Sequence, residues 1–198
     1  MTDSITDPMT KVLVLYYSKR GNTQKMARLI ARGIQSVDGC EAMLRTVESD
    51  LPYAEKPNDV IVTEQDMIDC DAVILGSPSY FGNMASPLKK FIDTTGNLWF
   101  SGEMEGKPAG VFATASSLHG GQETTLINMM IPLLHFGMVI VGLPYSEKSL
   151  LYTQSGGSPY GATHWAEVES NRGIDQNEKQ LCLAQGMRTA RFAQKLKD

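Results

Sequence analysis

One pattern constrains this chain more than any other: short, almost continuous apolar runs alternate with polar loops and with segments of helical periodicity. The runs are Lys11–Tyr17, Ala72–Gly76, Pro108–Thr114 and Met138–Val141. Apolar runs of this length are typical of strands that are buried on both faces of a parallel sheet. The alternation therefore predicts a doubly wound α/β fold, a three-layer sandwich with helices on both sides of the sheet.

The helical segments have recognisable starts and stops. Apolar residues recur at three- and four-residue spacing from Thr23 to Asp38-Gly39, and Ser86-Pro87 supplies an N-cap and a first-turn proline for a helix to about Thr95. We also predict a weaker strand over 41–47, an exposed connection over 48–62, a short helix begun by Thr63 and Asp66, and helices over 122–136 and around 183–193. The Gly-, Ser- and Pro-rich stretch 143–175 is too long for a simple linker, so we expect it to be functional or an oligomer contact.

Composition excludes several classes of protein. At 198 residues and 42% apolar content the chain fits one domain, and a net charge of −4 without a basic block argues against a nucleic-acid partner. Three widely spaced cysteines without CxxC argue against a disulfide framework and a zinc site. The polar N-terminus does not resemble a signal peptide and no apolar run approaches a membrane span, so we expect a cytoplasmic protein that does not insert into membranes. Residues 1–9 are predicted to be a flexible tail before a single domain over 10–198.

Ligands of an open parallel sheet bind beyond the carboxyl ends of its strands, so the loops after the first, third and fourth strands are expected to share one site. The first loop joins a buried strand to a helix N-terminus and offers hydroxyl and backbone N–H groups to a phosphate. It lacks the spacing of a P-loop or of a Rossmann fingerprint, so a terminal monophosphate fits best. An ordinary capped helix is the alternative. The residues of this loop are Ser18, Lys19, Arg20, Gly21, Asn22 and Thr23.

The other two loops are suited to a flat ring with a polar edge. The second loop places two aromatic residues beside a glycine and an amide, and the alternative is local packing of surface aromatics. The third loop exposes small residues and N–H groups that can stabilise negative charge, and the alternative is a flexible Gly/Ser loop. The second loop contains Pro78, Ser79, Tyr80, Phe81, Gly82 and Asn83, and the third Thr114, Ala115, Ser116, Ser117, Leu118, His119 and Gly120.

The three histidines give no strong signal of their own. His135 stands at a predicted helix end, where a histidine more often interacts with the helix dipole than with a substrate. No HxxxH occurs and no carboxylate stands at ligand spacing, so no metal is expected. The nucleophile motif GxSxG of α/β-hydrolases is also absent.

Five blocks in order along the chain resemble the WrbA-type NAD(P)H:quinone oxidoreductases, flavodoxin-like flavoproteins first named for tryptophan-repressor binding. The resemblance runs from about Lys11 to the C-terminal helix. The blocks are YYSKRGNT, GSPSYFGNMASPLKKFIDTTGNLW, GKPAGVFATASSLHGGQET, LLHFGMVIVGLPYS and GGSPYGATHW.

This resemblance implies a five-stranded sheet of order 2-1-3-4-5 and a non-covalently bound FMN, with its phosphate at 18–23 and its ring between 79–81 and 114–120. It also implies a homotetramer, with a dimer as the alternative, in which neighbouring subunits complete each site. The position that matches His135 contributes to the flavin site in that family, and the one that matches Trp99 walls the pocket for nicotinamide and quinone.

The implied activity is two-electron, ping-pong reduction of quinones to hydroquinones, with NADH or NADPH as donor. His135 would orient the acceptor as the catalytic residue, while Trp99 and Phe81 would stack the substrates. Arg20 stands where many relatives carry an aromatic residue, so a phosphate of the nicotinamide cofactor is a second possible partner for it. Two alternatives stay open: a flavodoxin-type one-electron carrier and a flavin-binding regulatory adaptor.

Overall fold

A parallel sheet lies at the centre of the molecule, in a computed structural model that describes residues 9–51 and 59–197. Its strands pair in the order β2-β1-β3-β4-β5, and β6 also pairs with β4. This confirms the predicted fold class and strand order. The strands are β1 (Thr10–Tyr16), β2 (Cys40–Thr46), β3 (Ala72–Pro78), β4 (Pro108–Ala115), β5 (Val139–Ile140) and β6 (Ala162–Trp165).

Helices cover both faces of this sheet because its strands alternate apolar residues to either side. Leu13 and Leu15 of β1 belong to one core cluster, and Val12 and Val14 belong to the other. The first cluster contains residues of α3 and α5, and the second contains residues of α1 and α7. The helices are α1 (Asn22–Gln35), α2 (Glu64–Asp69), α3 (Ser86–Thr94), α4 (Gly96–Ser101), α5 (Gln122–His135), α6 (Lys148–Tyr152) and α7 (Gln176–Leu196).

Two glycines let α1 and α7 pack backbone against backbone. A methyl group on Gly33 would lie 2.2 Å from the carbonyl oxygen of Leu183, and one on Gly186 would lie 2.1 Å from that of Ile30. Neither contact is tolerable, and the atoms that would have to move belong to the backbone. Any side chain at either position therefore pushes the two helices apart.

The fifth position of the sheet is shared by two short strands. β5 pairs with Pro108 and Ala109, and β6 continues along β4 from Phe112 to Ala115. Between them the chain leaves the sheet and returns, so that the Leu143 N–H donates to the Pro159 carbonyl at 2.9 Å. The predicted strand Met138–Val141 is thus too long, and β6 lies unpredicted inside the 143–175 connection.

Several predicted boundaries need correction. The third strand does not end at Gly76, the last residue of the predicted run, because Ser77 and Pro78 pair in register with Ala113 and Thr114. Ser86 is not an N-cap: α3 is capped at Ala85, whose N–H donates to Ser77 Oγ at 2.8 Å. Helix α4 was not predicted.

The short helix α2 begins as predicted. Thr63 and Asp66 form a reciprocal capping box at its N-terminus. The predicted tail 1–9 lies outside the described residues except for Met9, and the middle of the predicted connection 48–62, residues 52–58, also lies outside them. Over the ranges that the structure does describe, no helix combines the length and the apolar character needed to cross a membrane.

Candidate functional site

The carboxyl ends of β1, β3 and β4 open onto one cavity of about 410 Å³. Residues from all three predicted loops line it, together with residues that follow β6. The structure thus brings these loops together, while their role in binding stays a prediction. The lining residues are Ser18, Lys19, Arg20, Asn22, Thr23, Pro78, Ser79, Tyr80, Phe81, Thr114, Ala115, Ser116, Ala166, Val168 and Ser170.

The first loop presents hydrogen-bond donors to this cavity. Gly21 adopts a left-handed conformation (φ 80°) as the N-cap of α1, and no described side chain caps the helix. The N–H groups of the first turn are therefore available to a ligand at the positive end of the helix dipole. Ser18 Oγ is also buried without a hydrogen-bond partner among the described residues. This arrangement suits an anion such as a phosphate monoester.

Buried hydroxyl groups connect the three loops. Thr23 Oγ1 and Thr114 Oγ1 lie 3.1 Å apart, and the Ser79 N–H donates to the Thr114 carbonyl at 2.7 Å. Thr125 Oγ1 of α5 donates to Ser79 Oγ at 2.9 Å. The cavity is thus held by contacts between elements far apart in sequence, which give it a defined shape.

The second loop holds an aromatic side chain in an unusual conformation. Phe81 has φ 54°, in the left-handed region that a non-glycine residue enters at about 1–2 kcal/mol. Its side chain is fully exposed at 109% of the reference area, so no packing against the described residues explains the strain. Asn128 fixes the loop by donating from Nδ2 to the Gly82 carbonyl at 2.8 Å. Strain of this kind is common at ligand-binding sites, and the predicted role of Phe81 in binding stays a prediction.

Some of the remaining predicted loop residues support the cavity without lining it. The Gly120 N–H and Gln122 Nε2 donate to the Ser117 carbonyl at 3.1 and 2.9 Å, which closes the third loop. A methyl group on Gly121 would lie 3.0 Å from Gly82 Cα, so the second and third loops meet backbone to backbone. The predicted site residues outside the lining of this cavity are Gly21, Gly82, Asn83, Ser117, Leu118, His119, Gly120, Trp99 and His135.

Sequence reasoning missed the segment after β6. Arg20 Nη1 lies 3.5 Å from the Val168 carbonyl and 3.3 Å from Ser170 Oγ, and Asn22 Nδ2 donates to the Ser170 carbonyl at 3.2 Å. These contacts place Ala166, Val168 and Ser170 beside the first loop. The only sequence signal was the unusual length of the 143–175 connection, which does not point to individual residues.

Trp99 and His135 lie together at a second cavity of about 360 Å³, next to α3 and α5. Helix α5 begins beside the first cavity and ends at His135, and a helix of 14 residues spans roughly 20 Å. Within one chain His135 is therefore remote from the three loops. Both side chains are exposed, Trp99 to 54%.

A buried tyrosine and a carboxylate are paired behind the first loop. Tyr16 Oη donates to Asp59, and Gln24 Nε2 and Arg28 Nη2 donate to the same carboxylate at 3.0 and 3.2 Å. Burial, and then the hydrogen bond to Asp59, raise the pKa of Tyr16 well above its usual value. Burial opposes ionisation of Asp59, but the hydrogen bonds from Tyr16, Gln24 and Arg28 outweigh it and hold the pKa of Asp59 below its usual value. The pair anchors residue 59 to α1 and does not line the cavity.

Comparison with known proteins adds a family to this geometry. Residues 10–147 match the family described as NADPH-dependent FMN reductase. The chain belongs to that family. A curated relative of similar length, an NAD(P)H dehydrogenase (quinone) from Syntrophobacter fumaroxidans, is 41% identical over an alignment of 203 residues, and this alignment covers 94% of this chain and 98% of the relative.

Solved structures support the same fold for this FMN reductase family member. A WrbA-like flavodoxin from Agrobacterium tumefaciens superposes with a TM-score of 0.70 at 24% identity, covering 95% of this chain and 99% of that one. Flavodoxin 1 from Bacillus cereus gives 0.62 at 19% identity, covering 92% and 98%. The resemblance to WrbA-type proteins seen in the five sequence blocks is confirmed.

The residues present in this family member fit an FMN. The unpartnered Ser18 hydroxyl and the free first-turn N–H groups of α1 suit the phosphate. The exposed Phe81 ring and the polar third loop suit the two faces and the polar edge of a flat heterocycle. The fit rests on the first cavity and does not involve the second.

Proposed function

We propose that this protein is an FMN-dependent NAD(P)H:quinone oxidoreductase, which takes electrons from NADH or NADPH and reduces quinones to hydroquinones in a two-electron, ping-pong cycle. The observation that carries the proposal is the three-loop cavity. There Ser18 Oγ and the N-terminus of α1 can donate hydrogen bonds to an anion beside the exposed ring of Phe81. The near full-length similarity to an NAD(P)H dehydrogenase (quinone) supports it.

The first loop and the N-terminus of α1 would hold the phosphate, with Lys19 and Arg20 adding positive charge at the rim. Pro78–Phe81 and Thr114–Ser116 would enclose the ring system. When bound, FMN supplies the redox chemistry, because its ring can take up a hydride and return two electrons. The third loop can place backbone N–H groups against negative charge that develops at the polar edge of the ring.

Donor and acceptor are both planar, and one stacking space would serve them in turn. Phe81 projects its ring from the rim of the cavity, where it can stack on either molecule. Alternating use of one space requires that the first product leaves before the second substrate binds, which is the reason for a ping-pong order.

We further propose a homotetramer, with a dimer as the alternative, in which a neighbouring subunit brings Trp99 and His135 to the first cavity. A row of exposed apolar residues along α5 supports association, because monomers rarely expose contiguous apolar surface of this kind. The row consists of Ile127, Ile131 and Leu134, with Trp99 and Phe100 of α4 nearby. In this arrangement His135 would orient the quinone, and we propose that the enzyme acts in the cytoplasm.

The decisive experiment is purification with added FMN, followed by NADH and NADPH oxidation with and without benzoquinone while flavin absorbance is recorded. Bleaching of the flavin by a nicotinamide, reversed by quinone, is the expected result. His135→Ala should lower turnover in the assembled protein, and unchanged turnover together with unchanged flavin affinity would refute the role assigned to His135.

A flavodoxin-type electron carrier is the second candidate, since flavodoxins share this fold. Bound FMN that reacts with neither nicotinamide, but exchanges single electrons with a reduced protein partner, would favour it. The regulatory adaptor is distinguished by a protein partner whose capture requires bound FMN.

A further inference from the structure

Residues 166–172, which follow β6, form one wall of the first cavity in a conformation that needs support. Two of them, Glu167 (φ 62°) and Ser170 (φ 56°), adopt left-handed backbone angles without being glycine. Ala166 and Ser170 nevertheless line the cavity next to the first loop. A strained backbone of this kind persists only where surrounding groups keep it in place.

Arg172 holds the end of this segment. Its Nη1 donates to the Trp165 carbonyl at 2.8 Å and to Glu178 Oε1 at 3.0 Å, while Nη2 donates to Asp175 Oδ2 at 2.7 Å. Its guanidinium also lies 5.1 Å from the centre of the Trp165 ring. One side chain thus joins both ends of the 166–172 segment to the start of α7.

Glu178 is the acceptor on which these contacts converge. It is the N3 residue of a capping box at the start of α7, a position that is usually at the surface, yet it is fully buried. Its carboxylate gathers donors from three segments of the chain: the N–H groups of Gly156 (3.0 Å), Trp165 (3.1 Å) and Asp175 (3.0 Å), Arg172 Nη1 (3.0 Å) and His164 Nδ1 (2.8 Å).

Stability alone is a poor explanation for this cluster. Buried ion pairs are often no more stabilising than apolar residues of the same volume, because both charges lose hydration. The Arg172–Glu178 ion pair instead fixes position, because hydrogen bonds to the buried Glu178 carboxylate define where Trp165 and Arg172 lie. The residues between them are those that touch Arg20 and Asn22 of the first loop.

We propose that Arg172 and Glu178 are positioning residues, which hold the 166–172 segment against the first loop and so set the affinity for the phosphate end of the flavin. The inference rests on the proposed flavin site and concerns its affinity rather than turnover. Neither side chain lines the cavity, so both act through the segment that they anchor.

The test compares FMN with riboflavin, which has the same ring but no phosphate. In Arg172→Gln the dissociation constant for FMN, measured by quenching of flavin fluorescence, should rise about tenfold, the value of roughly one charge-assisted hydrogen bond. That for riboflavin should change less than about twofold, because its ring contacts stay intact. Arg172→Lys should recover part of the loss, since it keeps the charge but not the forked geometry.

Arg191→Gln is the matched control, since it makes the same change on an exposed face of α7 and should leave both constants unchanged. Equal weakening of FMN and riboflavin, or no weakening of FMN, would overturn the proposal. If Arg172→Gln does not fold by circular dichroism, Arg172→Lys decides by the same FMN-to-riboflavin ratio. Failure of the wild-type protein to bind FMN would instead remove the proposed function.

Discussion

Replacing Phe81 by glycine should make the protein more stable and a poorer catalyst. Relief of the left-handed backbone at Phe81 gains about 1–2 kcal/mol. The added freedom of glycine in the unfolded chain takes back roughly 0.4–1 kcal/mol. The ring is fully exposed, so no burial against the described residues is lost, and the net gain lies between about 0 and 1.6 kcal/mol, with a central value of about 0.8 kcal/mol.

Urea unfolding at fixed protein concentration measures this gain, and for the central value the thermal midpoint should rise by about 2–3 °C, given about 2–4 °C per kcal/mol for a chain of this length. Quinone reduction with NADH should fall by about three- to tenfold in kcat/KM, the value of one aromatic stacking contact. A mutation that raises stability while it lowers activity shows that the strain serves the site.

Phe81→Ala separates the effect of losing the ring from the effect of relieving the backbone. Alanine keeps the unfavourable φ, so stability should change by less than about 0.5 kcal/mol while activity falls as in the glycine variant. A loss of more than about 1 kcal/mol in Phe81→Gly would refute the reasoning, since it would mean that the ring stabilises the fold by more than its conformation costs.

Three further changes test other parts of the structure. Gly186→Ala places a methyl group 2.1 Å from the Ile30 carbonyl oxygen and should lower the free energy of unfolding in urea by about 1–3 kcal/mol, whereas Gly96→Ala, in open space, should not. Ser18→Ala should weaken FMN about tenfold and riboflavin little in fluorescence titrations, and an equal loss for both would contradict phosphate binding there. Burial raises the pKa of Glu178, but hydrogen bonds from His164 and backbone N–H groups outweigh it and hold that pKa below its usual value, so its stabilisation is complete above about pH 4.3 and is lost as pH falls. Below about pH 4.3 the thermal midpoint of Glu178→Gln should therefore change less with pH than that of the wild type. An equal change in both proteins would contradict a lowered pKa of Glu178 as a source of stability.

Most of the fold was predictable because its strands are buried on both faces. Runs such as 11–17 and 108–114 have no polar alternation, which favours a central parallel strand, and the strand order followed from the family resemblance. β6 was missed because it has four residues and exists only through pairing with β4, a contact that local sequence does not encode. The end of β3 was placed too early, at Gly76, for the same reason, since pairing with β4 outweighs the local tendency of Ser77-Pro78 to end a strand.

The site was predictable to the extent that it depends on topology. The carboxyl ends of parallel strands meet at one edge, so the loops at 18–23, 78–83 and 114–120 could be assigned to one place before any coordinates were known. The wall formed by Val168 and Ser170 could not be predicted, because its contacts to Arg20 join residues about 150 positions apart. The buried carboxylate of Glu178 gave no signal either, since in the sequence it looks like an ordinary capping residue.

The divided fifth strand also affects how the protein behaves among its own copies. A long, regular outer strand offers a row of unpaired N–H and C=O groups, which other chains can extend into an aggregate. Here that border consists of a two-residue and a four-residue strand, between which the chain departs at Leu143 and returns at Pro159. No continuous template for strand addition is left along β5 and β6, so the excursion of the chain between these two strands guards the sheet against polymerisation on that side.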